Sequence, residues 1–321
     1  MKSDSGYQPA FLGAKLKVSL PRISAGKKTD LAPVKGNKDA LLHYPHHSVA
    51  LSKTRKLPLF AAVNIDGQRF RVLKRTALFD SGSDEWAIDE RAPGFQWGHE
   101  LYSASASDFD KGHMVKREDP QWGDDDAAAS NAARSTFFYS NCAPQVGDLN
   151  RKEWRGLEDF ILKKKSVPDR LRINVFTGPV LADDDPVFVT DVKGQRVQIP
   201  ALFWKLVYFT ADGKTLNRVA FLMGQKKILL KRGIARPKEE ELEGLILKPT
   251  IFDDYEDAAM YQVNVSVVEK LTGLGFSPAK DPYRDDRPVK LILKEVEIGG
   301  DLESFPGNGG PAFDLEGIVL G

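Results

Sequence analysis

The chain has 321 residues, 41% hydrophobic and 28% charged, with a formal net charge of +1. These values exclude wholesale disorder, and no apolar run approaches the ~18 residues of a membrane-spanning helix. The single cysteine, Cys142, excludes an intramolecular disulfide and a Cys-rich zinc site, while the near-neutral balance leaves room only for a local basic cleft.

Residues 1–38, rich in Lys, Gly, Pro and Ser, read as an extension ahead of a folded domain over 39–285, with a second extension over 286–321. Within the domain, Ser48–Leu51 and Leu57–Ile65 read as strands. The second ends at Asp66-Gly67, a tight turn from which Gln68–Leu73 would pair back as a hairpin. Asp80–Tyr102 has the mixed polarity of a long irregular connection. Asp124, Asp125 and Asp126 precede the run Ala127–Ala133, placing acids where they suit the start of a short helix. Thr136–Tyr139 is strand-like. The clearest helix is Asn150–Lys165, with Trp154, Leu157, Phe160 and Ile161 at helical spacing. Strands follow at Arg172–Thr177, Ala201–Phe209 and Asn217–Met223. A second helix over Ala258–Leu271 closes at Thr272-Gly273, and a last strand covers Val289–Ile298. Hairpin-like strands with helices inserted between them indicate an α+β fold rather than a doubly wound parallel sheet.

His43, His46 and His47 cluster in one short stretch, yet no second pair of ligands accompanies them, and an edge-of-strand surface role is the simpler reading. His99 reads as structural or surface. His113 differs, because it closes Asp110-Lys111-Gly112-His113, an acid, a base, a glycine and an imidazole in succession. Alone, that stretch is a turn whose imidazole packs or faces water. A second cluster begins 27 residues later: Ser140-Asn141-Cys142-Ala143-Pro144-Gln145, then Asn150, and then Trp154, Leu157 and Glu158 on the helix. Cys142 lacks a dedicated partner and reads as a buried structural thiol.

The pattern D-K-G-H followed by S-N-x-A-P-Q-x4-N-x3-W-x2-L-E resembles the DNA/RNA non-specific endonucleases, the ββα-metal nucleases. Further stretches agree: Val175-Phe176-Thr177-Gly178-Pro179, Ile199-Pro200 with Phe203-Trp204-Lys205, and Tyr261-Gln262-Val263 with Glu269-Lys270-x-Thr272-Gly273. Several ordered motifs at compatible spacing are far more specific than one short motif.

The resemblance implies a ββα-metal fold and hydrolysis of DNA and RNA with little base preference, leaving 5′-phosphate ends. It implies His113 as general base, a role suited to an imidazole whose ordinary pKa is about 6.5. It implies Asn150 as the ligand of Mg2+, with Mn2+ as the substitute. From the residues alone, Asn150 reads as a helix N-cap, the commonest role for an Asn at such a position. Glu158 lies eight residues further along the helix, about 12 Å at ~1.5 Å per residue. It would therefore hold a metal-bound water rather than the ion, with Asn141 orienting those waters or the site backbone. Asp110 and Lys111 complete the motif. Lys111 stands where the family usually carries Arg, giving a point charge in place of a planar fork. Arg91 is the nearest counterpart of the family's upstream arginine, which precedes an aromatic residue and an Asp.

Lys111, Lys116, Arg117, Arg151 and Arg155 should line one cleft around His113, with Lys111, Arg151 and Arg155 binding substrate and Asp124–Asp126 and Asp183–Asp185 facing away. The competing readings are a non-catalytic nucleic-acid-binding module of the same fold, and a toxin delivered to other cells. A non-specific nuclease endangers its host, which favours export, sequestration or an inhibitor protein over a free cytoplasmic life; no Sec leader is visible in the sequence.

Overall fold

The computed structural model describes residues 5–238, 258–285, 287–296 and 312–320. In chain order its main strands are β1 (Leu41–Tyr44), β2 (His47–Leu51), β3 (Pro58–Asp66), β4 (Phe109–His113), β5 (Cys142–Val146), β6 (Arg172–Val180), β7 (Leu202–Phe209), β8 (Asn217–Gly224), β9 (Met260–Val263), β10 (Val289–Val296) and β11 (Ala312–Glu316). Helix α1 spans Asp126–Arg134. Helix α2 runs through Leu149–Trp154, Arg155–Asp159 and Phe160–Ser166, with π-type turns at both ends. Helix α3 spans Val265–Thr272.

Among the described residues, nine strands form one antiparallel sheet in the order β11-β10-β9-β8-β7-β6-β3-β2-β1. Val63, Val175, Val207 and Val219 stand side by side across four of them. These strands are buried on both faces, so they read as nearly continuous apolar runs. In β7, Phe203 and Val207 face the core under α2, where Trp154, Leu157 and Ile161 close over them. Trp204, Leu206 and Tyr208 face the other way, against Val265 and Val268 of α3. The α+β reading is therefore correct.

Several local expectations change. Gln68–Leu73 forms no hairpin, because both edges of β3 are already taken by β2 and β6. The segment leaves the sheet instead, and Phe70 bridges to Trp122. Thr136–Tyr139 is not a strand: Thr136 folds back to donate to the Ala133 carbonyl, and only one bridge, Ala87 to Phe138, forms there. The expected helix over Ala258–Leu271 divides in two. Its first part is strand β9 on β8, and α3 begins only after Asn264, whose Oδ1 accepts from the Ser266 amide. Gly273, at φ 65°, ends it as expected. The last strand is described to Val296; Glu297 and Ile298 lie outside the described residues.

The N-terminal segment is not a loose extension. Tyr7 and Val18 are buried on the α3 face of the sheet, Tyr7 Oη donates to the Val18 carbonyl at 2.8 Å, and the Tyr7 ring lies 5.3 Å from Phe176. Fully burying side chains of this size is worth roughly 1.5–3 kcal/mol each, a contribution toward the cost of ordering a polar, glycine-containing stretch.

Candidate active site

The D-K-G-H stretch forms strand β4, not a turn. It pairs antiparallel with β5, setting Gly112 opposite Ala143 and His113 opposite Cys142. The side chain of Gln145 crosses directly over Gly112, where an added Cβ would sit 2.0 Å from Gln145 Oε1. Only glycine allows that approach. From β5 the chain leads through Gly147 and Asp148 into α2, giving a strand–strand–helix unit beside the large sheet.

Asn141 fixes the turn that leaves β4. Its Oδ1 accepts from the Val115 amide at 3.0 Å, and its Nδ2 donates to the carbonyls of Val115 and Thr136, both at 2.9 Å. It is completely buried and acts on the site's backbone. Cys142 is buried beside it, its thiol pushed up to about 12 by burial. A thiol held in that protonated form is a packing residue, not a nucleophile.

Beside this unit lies a cleft of about 470 Å³. His113 lines it, with the Trp86 ring at 4.7 Å and the edge of Phe137 at 5.1 Å. No described residue gives the imidazole a hydrogen bond, and its Nε2 is shielded from solvent without a partner. Burial, reinforced by the charge of Arg75, lowers its pKa to about 3. The ring is neutral at ordinary pH and keeps a lone pair free to take a proton.

Lys111, Lys116, Arg117, Arg151 and Arg155 all line the cleft, and the acids Asp124–Asp126 and Asp183–Asp185 do not. Asp110 accepts from Asn150 Nδ2 at 3.0 Å and grips Arg151 through two bonds of 2.8 and 2.6 Å. That contact orients the Asn150 amide, since only its nitrogen can face a carboxylate. Asn150 Oδ1 is left without a hydrogen-bond partner among the described residues, and Asn150 is no N-cap, because the backbone is already helical from Gly147. An amide oxygen supplemented by water and a phosphate is a set of hard donors that fits Mg2+ or Mn2+. Glu158 is nearly buried at the cleft floor, 3.3 Å from Lys205 Nζ, and burial raises its pKa.

Arg91 is not brought to this cleft. Buried Asp89 holds its guanidinium, Nη1 donates to the His43 carbonyl at 2.8 Å, and the group lies 4.7 Å over the Tyr44 ring. Arg75 occupies the cleft instead, clasped by Asp84 in a two-point pair. It too precedes an aromatic residue and an Asp, Trp86 and Asp89, but an irregular loop hides the spacing. His99, read as structural or surface, also lines the cleft, together with Tyr102, Glu118 and Lys163. The three clustered histidines have separate surroundings. His43 contacts Ser48 and Asp39, His46 stacks on Trp122, and His47 stacks on Tyr44.

Comparison with known proteins gives the family of the chain. The family described as DNA/RNA non-specific endonuclease matches residues 29–282. An uncharacterized protein, y4fB, of Sinorhizobium fredii is 33% identical over 70% of this chain and 33% of its own length. Mitochondrial Endonuclease G of Homo sapiens is 28% identical over 45% of this chain and 50% of its own. Nuclease C1 of Cunninghamella echinulata is 32% identical over 40% of this chain and 50% of its own. The chain thus spans between a third and half the length of these relatives. A solved EndoG/EndoGI complex matches with a TM-score of 0.48 at 19% identity, over 73% of this chain and 84% of that one.

Proposed function

We propose, because the chain belongs to the DNA/RNA non-specific endonuclease family, that its cleft hydrolyses phosphodiester bonds of DNA and RNA. His113 takes a proton from water, which attacks phosphorus in line with the 3′-oxygen, leaving a 5′-phosphate end. Lys111, Arg75, Arg151 and Arg155 bind the polyanion through its phosphates, and contacts of that kind carry no base sequence. Asn150 would hold the divalent ion through Oδ1, and Glu158 would hold a water beside it. What a bound ion supplies is positive charge at the phosphate and at the departing oxygen. Asp110 keeps the Asn150 amide aimed, and Asn141 keeps the backbone after His113 in place.

The observation that carries this reading is that one cationic cleft brings together His113, whose imidazole has no hydrogen-bond partner among the described residues, and the Asn150 amide, oriented by Asp110. A module that only bound nucleic acid would need neither. Supercoiled plasmid and single-stranded RNA incubated with Mg2+ should both be cut, EDTA should abolish cutting, and the DNA ends should be ligatable 5′-phosphates. Intact substrates across Mg2+ and Mn2+ would contradict the proposal.

A further inference from the structure

Lys205 is 1% exposed, on β7 in the middle of the sheet. Burying an ammonium costs several kcal/mol unless it is paired and hydrogen-bonded, so its surroundings show what it is for. Nζ lies 3.3 Å from Glu158 Oε1 and donates to Thr177 Oγ1 at 3.1 Å. Thr177 is its direct cross-strand neighbour on β6. The ammonium also sits 5.0 Å over the Trp154 ring, from the same helix as Glu158. Lys205 itself does not line the cleft; Glu158 does, with Lys205 behind it.

Glu158 is the point of contact between the cleft and this buried cation. Its Oε1 is turned toward Lys205, and its Oε2 has no partner among the described residues. The other charges nearby do not replace Lys205. Asp119, also buried, adds a second negative charge, and the two carboxylates oppose each other's ionisation. Asp159, next along the helix, does the same. Lys116 is the other cation acting on Glu158, but its Nζ is already held by Asp159 and by Glu118 at 3.0 Å.

We propose that Lys205 is a positioning residue for the cleft's metal-dependent chemistry: from beneath the helix it keeps Glu158 charged and fixes its rotamer, so that Oε2 faces the cleft. The proposal rests on the function given above, in which Glu158 holds a water of the divalent ion. Lys205 touches neither substrate nor ion. Its link to the cleft is Glu158, since Asp119, the other buried carboxylate that feels its charge, does not line the cleft.

The test measures Mg2+ binding by calorimetry and the Mg2+ concentration that half-saturates plasmid nicking, for wild type, Lys205→Met, Glu158→Gln and the double variant. Lys205→Met should weaken Mg2+ binding and raise the half-saturating concentration by about tenfold, the scale of losing a group that orients a metal's shell. In the Glu158→Gln background the same substitution should add almost nothing. The double variant, in which Glu158 no longer adds an unpaired buried charge, should unfold at a higher temperature than Lys205→Met. Multiplying effects, or wild-type Mg2+ binding in Lys205→Met, would overturn the proposal. If Lys205→Met does not fold, Thr177→Val, which removes the second anchor of Nζ, decides. A rise of a few-fold in half-saturating Mg2+ supports the role, and an unchanged value defeats it. Calorimetry distinguishes the two failures: a wild type that binds Mg2+ yet never cuts removes the nuclease reading alone.

Discussion

Burial, more than any charged partner, keeps three histidines neutral. His113 and His47 are lowered to about 3 and His46 to about 4, in each case with desolvation as the leading cause. For His113 this favours the base form; for His47, which is completely buried, it is a cost borne by stability in acid. A histidine whose folded pKa lies below its unfolded value of about 6.5 stabilises the fold fully above that value. The contribution is lost as pH falls toward the folded pKa, because the unfolded chain takes up the proton first. His47 alone should therefore remove about 2 kcal/mol between pH 8 and pH 5. Urea unfolding of wild type and His47→Gln across that range should show a shallower decline in the variant by about that amount, whatever its stability at pH 8. Equal declines would contradict the assignment. At this scale the gathering of His113, Asn150 and Glu158 in one cleft was legible in the sequence, because the motifs that contain them are short and ordered. Arg75 was not, since its place in the cleft depends on a loop and on a clasp by Asp84 that no periodicity marks.

The element least visible in the sequence is the strand that carries the proposed base. β4 holds Asp110, Lys111 and Gly112, residues with little strand preference, and its one partner among the described residues, β5, lies across a long connection that includes α1. Strand structure there comes from pairing and from the close approach of Gln145 over Gly112. Six of the nine described sheet strands and α2 were legible because continuous apolar runs and helical periodicity are local signals, whereas the short strands β1, β9 and β11 carry too little of either. The divided segment around Asn264 was not, because Val263, Val267 and Leu271 suit a helical face while the residues before Asn264 are captured by β8. Asn141 joins these elements by holding the turn after β4 to the chain before β5. Asn141→Ala would strand three backbone groups in a dry interior, at a cost of roughly 3 kcal/mol from the usual penalty for unpaired buried groups. Denaturant unfolding should register that loss, and an unchanged midpoint would show that the bonds are not needed to hold the turn.

Across the whole molecule, a formal charge of +1 conceals an uneven distribution. The cleft wall carries seven Lys and Arg side chains against four carboxylates. Elsewhere Asp124 and Asp126 pair with Arg69 and Arg71, and Asp185 is buried against Arg55. The near-neutral total thus carries no argument against a polyanionic ligand. The N-terminal segment shows the same gap between composition and place: its polarity suggests a free extension, yet Tyr7 and Val18 are buried on the sheet and the Tyr7 and Gln8 amides donate to Ser48 and Asn64. The large antiparallel sheet gives the strand–strand–helix unit a rigid base, and the nuclease reading depends on that unit presenting a neutral imidazole to a bound phosphate. The most direct test is initial-rate cleavage of one plasmid at saturating Mg2+ by wild type and by His113→Ala, with thermal unfolding confirming that both are folded. The expected result is a fall of about 10²-fold or more in the variant, the size of a general-base contribution; cleavage by folded His113→Ala at the wild-type rate would contradict it.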